Sequence, residues 1–366
     1  MKNICIAYPN KTLTFSETFI KNQLNSIPHQ NELTGGRWPY LDQDKKSIFK
    51  FLMSVDLIRG TIKHFFPTWY QSLYTKALIR FLKKNETEVL LAEYGPTGVS
   101  VYEGCKKAQV ELVVHFHGYD ASVKKILDEY KDSYCKMAET AKCIVAVSND
   151  MRKQLSDLGI NCPIWKIPYG IDTNRFVGSN PAQSKPVCVF VGRFTSKKAP
   201  FVTIKAFAEA LKQVPDAKLI MVGNGELFEA SVNLAKELKI AGSIDFKGVK
   251  TPQEIACILK EARMFVQHSV VSSTGDSEGT PNTILEASAT GLPIVSTFHA
   301  GIKEAVIHEK TGFLVNEYDE EGMAHYITVL LKDPELAAKM GCSARQHILD
   351  NYELETQIKK LYDVLC

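Results

Sequence analysis

Two glutamates eight positions apart, Glu278 and Glu286, bracket the stretch with the clearest chemistry, SSTGDSEGTPNTILEASATGLPIVST from Ser272 to Thr297. It reads as a polar loop, a short helix and a buried strand. Thr280 is a good N-cap and Pro281 fits the first helical position, where its missing N–H costs nothing. Gly291 suits the left-handed position after the helix, and Pro293 blocks continuation. The backbone from Gly279 through Thr280, Pro281 and Asn282 then lies at a helix N-terminus, where unpaired amides and the macrodipole can receive a phosphate. The glutamates are at most ~12 Å of helical rise apart. Two carboxylates are poor ligands for a bare phosphate, but they accept hydrogen bonds from hydroxyl groups on either side of one.

The matching cations come from another loop. Gly192-Arg193-Phe194-Thr195-Ser196-Lys197-Lys198 follows the apolar run Val187 to Val191 and precedes a helix that Pro200 opens. Arg193 can fork onto a phosphate and Lys198 can add a point charge; a solvated surface loop is the plainer alternative. Gly223-Asn224-Gly225 after Val222 makes a tight strand-to-helix turn. A dinucleotide fingerprint would need a third glycine where Phe228 stands and an acid where Phe246-Lys247-Gly248 stands, so hydride transfer loses its support. Earlier in the chain, Leu112 to Phe116 ends in His117-Gly118-Tyr119-Asp120. His117 is placed to reach a cleft, while His115 faces the same side one layer deeper, as core or support. Glu93, after another strand, is a ligand or only fixes its loop.

The positioning elements follow from alternation. Val89–Tyr94, Leu112–Phe116, Ile144–Val147 and Ile164–Ile167 are short Val/Ile/Leu-rich runs separated by helix-length segments, after a first strand Ile4–Tyr8 and a helix starting near Ser16. A second series comprises Val187–Val191, Leu219–Val222, Ile244–Phe246, Phe265–Gln267 and Pro293–Ser296. That pattern predicts parallel sheets with helical crossovers in two doubly wound α/β domains, whose ligands sit beyond the carboxyl ends of the strands. The expected boundaries are 1–170 for the first domain, 171–186 for a linker rich in Gly, Asn and Pro, and 187–351 for the second domain.

Composition narrows the field further. With 366 residues, 45% hydrophobic content and a net charge of +3, the chain can build two cores and shows no global nucleic-acid signal. Nine cysteines without a C-x-x-C pair point to a reduced, cytoplasmic setting, and no stretch is apolar enough for a signal peptide or a membrane span. Residues 45–84 carry nine Lys and Arg against the single acid Asp56, interleaved with aromatics. Such a segment can lie on anionic lipid at the inner face of a membrane; ordinary helices with inward aromatics and outward lysines are the plainer reading. Hydrolytic motifs are missing: there is no Gly-x-Ser-x-Gly elbow, Walker loop or zinc-spaced histidine pair, and Glu278 and Glu286 share one local element instead of facing each other across a bond. Asp42-Gln43-Asp44 matches a metal-binding D-x-D pattern but lies away from any strand end, so no metal is expected.

The E-G-x-P and L-E-A blocks around Glu278 and Glu286 resemble the E-x7-E motif of the retaining glycosyltransferases of family four. The likeness runs through SETFI, HFHGYD, VAVSNDMRKQL, IPYGIDTNRF, VGRFTSKKAP, VGNGEL and GIKEAVIHEKTGFLV, and it looks closest to members that build bacterial surface polysaccharides. It implies the GT-B fold, two Rossmann-like domains facing across a cleft, with Tyr352 to Cys366 crossing back to the first. It implies a nucleotide-diphosphate sugar donor, UDP- or GDP-linked, no cofactor, and a glycan or lipid-linked acceptor bound by the first domain. Glu278 would hold donor-sugar hydroxyls, Glu286 the ribose, Arg193 and Lys198 the diphosphate, and His117 the transferred sugar. Gly279 to Asn282, with Gly192 and Gly223, would complete the phosphate site. Asn10 to Thr14 replaces the paired glycine common after the first strand, and Ala199 replaces the glycine usual after the lysine. A catalytically silent nucleotide-sugar or carbohydrate binder is the alternative from another class.

Overall fold

The computed structural model describes residues 2–10, 17–35, 40–48 and 67–366, with the backbone alone for 67–70. The chain divides into two compact units, residues 1–167 with 358–366 and residues 168–357. In the first, β1 (Ile4–Tyr8), β2 (Asn31–Thr34), β3 (Val89–Glu93), β4 (Glu111–Phe116), β5 (Cys143–Ala146) and β6 (Ile164–Lys166) form one parallel sheet in the order β2-β1-β3-β4-β5-β6. β1, β3 and β5 are buried along their whole length, which is why they read as apolar runs without alternation. The end of the chain belongs to this unit: Leu361 and Leu365, on the closing helix Leu354–Leu365, are buried in a core with Ile4, Ile6, Val89, Val113 and Val145.

In the second unit, β7 (Val187–Val191), β8 (Lys218–Val222), β9 (Ile244–Gly248), β10 (Met264–Val266), β11 (Ile294–Thr297) and β12 (Gly312–Val315) form a parallel sheet in the order β12-β11-β10-β7-β8-β9. Its two faces carry separate apolar cores, one around Phe190, Phe207 and Met221, the other around Val189, Phe265 and Leu285. Residues 171–186, expected as a linker, lie within this unit, with Ile171 and Phe176 buried in the second of those cores. The edge strands β2 and β12 are absent from the strands the sequence predicts; NELT and GFLV are four residues each and too short to show a period.

The order of the second sheet reverses between β7 and β10, because the chain winds outward through β8 and β9 and then returns to the other side of β7. Loops after those two strands must therefore part, and a crevice opens at their carboxyl ends. One glycine is fixed by this packing. Gly223, at φ 130°, turns so close to the preceding loop that a Cβ would lie 1.9 Å from the Gly192 carbonyl oxygen. Gly223→Ala is expected to cost about 1–3 kcal/mol from backbone strain alone and to lower the thermal midpoint; an unchanged midpoint would show that the turn can open without loss.

The basic aromatic segment is described only in part, since 49–66 and the side chains of 67–70 lie outside the described residues. On the helix Pro67–Lys84 the chain buries Tyr74, Leu78 and Leu82 and exposes Lys76, Arg80, Lys83 and Lys84, the ordinary inward and outward division. No described helix is long and apolar enough to cross a membrane.

Candidate active site

The crevice after β7 and β10 collects the residues singled out in the second unit. Beyond β7 the chain passes Gly192 and exposes Arg193, with which no acid pairs among the described residues. A single 3₁₀ turn, Ser196–Lys198, then ends on Ala199 at φ 35°, and Pro200 opens the helix Pro200–Leu211 as the sequence predicts. That turn buries Lys198. Its Nζ lies 3.0 Å from Glu278 Oε1, in an ion pair. Burial lowers the Lys198 ammonium and Glu278 opposes that shift. Burial alone would raise the Glu278 carboxyl, but Lys198 and Lys197 overcome it and hold it at about 2. The Glu278 carboxyl is thus ionised beside the Lys198 ammonium. Lys197 in turn reaches Asp276 Oδ1 at 3.0 Å and anchors the middle of the β10 loop.

The helix after that loop, Asn282–Thr290, corrects one sequence expectation. Pro281, with ψ 95°, occupies the N-cap position, and Thr280 does not cap the helix. The first helical carbonyl is that of Pro281, which accepts from the amides of Ile284 and Leu285 at 3.0 and 3.2 Å. Pro281 supplies no side-chain cap, and among the described residues no carbonyl receives the amides of Gly279, Asn282 or Thr283. An uncapped helix start of this kind is suited to an anion. Gly291 closes the helix at φ 101°, as its position predicts. Glu286 lies on this helix, part of its side chain reaching solvent; the surrounding protein pushes its carboxyl up to about 8, with Arg175 pulling the other way. Gly192 and Gly223 stand behind the cations, packed backbone to backbone, with the Gly192 amide donating to the Val222 carbonyl at 3.0 Å.

In the first unit, parallel register pairs Glu93 with His115, so both side chains and that of His117 emerge on one face. His117 Nε2 is 2.5 Å from Glu93 Oε2, and His115 Nδ1 is 3.6 Å from the same oxygen. The His117 ring is buried between Phe19, at a centroid distance of 4.4 Å, and Tyr94, at 4.6 Å. Burial pushes the Glu93 carboxyl up to about 7 and His117 well below the histidine range; burial, and then His117, bring His115 down to about 3. The following turn is held by Asp120, whose carboxylate accepts from the amides of Gly95, His117 and Gly118 at 2.9 to 3.0 Å. Ligand atoms of Glu93, His115 and His117 all lie within 4.8 Å of one another. Two donors on one tetrahedral ion, each about 2.0 Å from it, stay about 3.3 Å apart. The 2.5 Å separation therefore fits a hydrogen-bonded cluster better than a shared metal.

Sequence reasoning left Glu93 open and missed Lys197, Asp276, His299 and Glu317. The period-2 relation of His115 and His117 along one strand was available as a signal, but their register with Glu93 on the neighbouring strand was not. The partners of His299 and Glu317 depend on sheet order, which no local pattern carries.

Two parallel, doubly wound units, with paired charges and an uncapped helix start at a topological switch point of the second, are the architecture of the GT-B class. A family model described as Glycosyl transferases group 1 matches residues 172–347, and one described as Glycosyltransferase Family 4 matches residues 44–175. Both models are of glycosyltransferases, and together they span residues 44–347. Among its relatives, the amylovoran biosynthesis glycosyltransferase AmsK of Erwinia amylovora is 28% identical over 84% of this chain and 78% of that protein. A GDP-mannose-dependent alpha-(1-6)-phosphatidylinositol monomannoside mannosyltransferase of Mycolicibacterium smegmatis is 28% identical over 69% of each chain. The crystal structure of Anabaena HepE in complex with UDP superposes with a TM-score of 0.78 at 17% identity, over 100% of this chain and 99% of that one, and shows the shared fold.

Proposed function

We propose that this glycosyltransferase moves a hexosyl unit from a nucleotide-diphosphate sugar to a hydroxyl of a glycan or lipid-linked acceptor in polysaccharide biosynthesis, with retention at the anomeric carbon. The observation that carries the reading is the charged Lys198–Glu278 pair beside the uncapped start of the Asn282–Thr290 helix. A diphosphate needs the cations and amides, and a sugar and a ribose need the carboxylates. The names of AmsK and of the M. smegmatis enzyme support this class of donor and product, as does the UDP bound by HepE.

In this reaction the bond from the anomeric carbon to the β-phosphate oxygen breaks as the acceptor oxygen bonds on the same face, and the leaving oxygen takes the acceptor proton. No protein base is required. The protein's task is to stabilise charge growing on the diphosphate, which falls to Arg193, Lys198 and the amides of Gly279, Thr280 and Asn282. Glu278 accepts from hydroxyls of the donor sugar, Glu286 from those of the ribose, and His117 contacts the transferred sugar. No step is assigned to a metal. Incubating the purified chain with UDP-glucose and with GDP-mannose, with and without acceptor glycan, should release nucleotide diphosphate and give a product of retained configuration by NMR. Loss of activity in EDTA that a divalent ion restores would overturn the metal-free mechanism, and absence of nucleotide release would favour a silent binder.

Glu286 gives this reading a pH signature. A carboxyl raised to about 8 is largely protonated at neutral pH, whereas ribose hydroxyls are best received by the carboxylate. Nucleotide diphosphate binding should therefore tighten as pH rises from 7 through 8 and level off above, and Glu286→Gln should bind more weakly and lose that rise. An unchanged profile in the variant, measured by calorimetry, would remove Glu286 from the ribose.

A further inference from the structure

We propose that His299 and Glu317 are positioning residues for Glu278, forming a hydrogen-bonded strut across three neighbouring strand ends. This rests on the reading of Glu278 as the group that holds the donor sugar. The β10 loop carries Glu278, the β11 loop carries His299, and the β12 loop carries Glu317; these strands are consecutive in the sheet. The Glu278 amide donates to His299 Nε2 at 3.1 Å, and His299 Nδ1 lies 2.6 Å from Glu317 Oε1. The second carboxylate oxygen of Glu317 accepts from the Val271 amide at 2.9 Å. One Glu–His pair thus fastens the β10 loop at both Val271 and Glu278.

The chemistry fixes the tautomer. A backbone amide can only donate, so Nε2 must be the acceptor, and the ring proton resides on Nδ1, where Glu317 receives it. Glu317 therefore selects the form of His299 that can hold Glu278. The strut is rigid at its base: the His299 side chain is buried, presented by a turn in which Ala300 has φ 39°. The β12 loop is tied down next to Glu317, because the Tyr318 amide donates to His268 Nε2 at 2.7 Å. On the far side, Lys198 from the β7 loop draws the Glu278 carboxylate, so the residue is held by its main chain from one side and by its charge from the other.

Glu317→Gln is the informative variant, since it keeps size and shape. A carboxamide has one acceptor oxygen. If that oxygen receives His299 Nδ1–H, the amide nitrogen faces the Val271 N–H; if it receives Val271, the nitrogen donates to Nδ1 and forces a proton onto Nε2 against the Glu278 N–H. Neither orientation satisfies the strut. Glu317→Gln is expected to bind the intact donor, probed with UDP-glucose or GDP-mannose according to which the wild type takes, about tenfold more weakly, while UDP or GDP alone changes less than about twofold. His299→Leu should behave alike, and His299→Gln, which returns an acceptor near the Nε2 position, should recover part of the loss. Unchanged affinities in Glu317→Gln, or equal losses for sugar nucleotide and free nucleotide, would overturn the proposal. If Glu278→Gln itself binds the sugar nucleotide normally, the sugar-holding reading fails. The strut is then judged by hydrogen exchange at the Glu278 amide, faster in Glu317→Gln if it positions that residue and unchanged if it does not.

Discussion

Turnover in Lys198→Ala is expected to fall by at least ~10²- to 10³-fold, the usual effect of removing one preorganised group that faces charge growing in a transition state. Lys198 is buried, and in the proposed role that burial would strengthen it, because an ammonium facing a leaving diphosphate acts more strongly at low dielectric. The same burial complicates the variant, because Glu278 loses its counter-charge and some stability goes with it. Arg193→Ala separates the two effects. Arg193 is exposed and unpaired among the described residues, so its loss leaves the fold intact, and turnover should fall by a comparable factor. Both variants belong in one assay of nucleotide diphosphate release, with circular dichroism confirming the fold. Near-normal release by folded Arg193→Ala would remove that residue from the diphosphate.

Glu278→Gln should move two affinities in opposite directions. Lys198 lies 3.0 Å from Glu278, so a diphosphate that engages the lysine competes with a carboxylate held at about 2. Neutralising that carboxylate frees the cation, and UDP or GDP alone should bind more tightly. The intact sugar nucleotide loses a charge-assisted hydrogen bond worth about 1.5–3 kcal/mol, which at 1.4 kcal/mol per decade is a loss of roughly 10- to 100-fold in kcat/KM. Opposite signs for free nucleotide and sugar nucleotide in one calorimetric series would identify Glu278 as a sugar contact that competes for Lys198. Equal weakening of both would assign it to the loop alone.

Much of the fold was legible because fully buried parallel strands leave a strong mark. Val187–Val191 was read to the residue, since a run of apolar side chains closed by a glycine and a polar loop marks where a buried strand must stop. Boundaries shifted where the signal was local and weak: Thr280 has the composition of an N-cap, yet an extended Pro281 moved the first turn past it. Asn31–Thr34 and Gly312–Val315 were missed because a four-residue edge strand is defined by its neighbour and carries little pattern of its own.

The sequence by itself singled out Arg193, Lys198, Glu278 and Glu286 as candidates and placed the first three in loops after strands and Glu286 on the following helix, because those places depend on spacing along the chain. It did not determine that Lys198 is buried against Glu278, or that His117 rests on Glu93. Nor did it show the link from Glu278 through His299 to Glu317. Those pairings join residues 18 to 80 positions apart through the order of parallel strands. Strand order is settled by how two apolar faces are covered at once, a property of the assembled sheet.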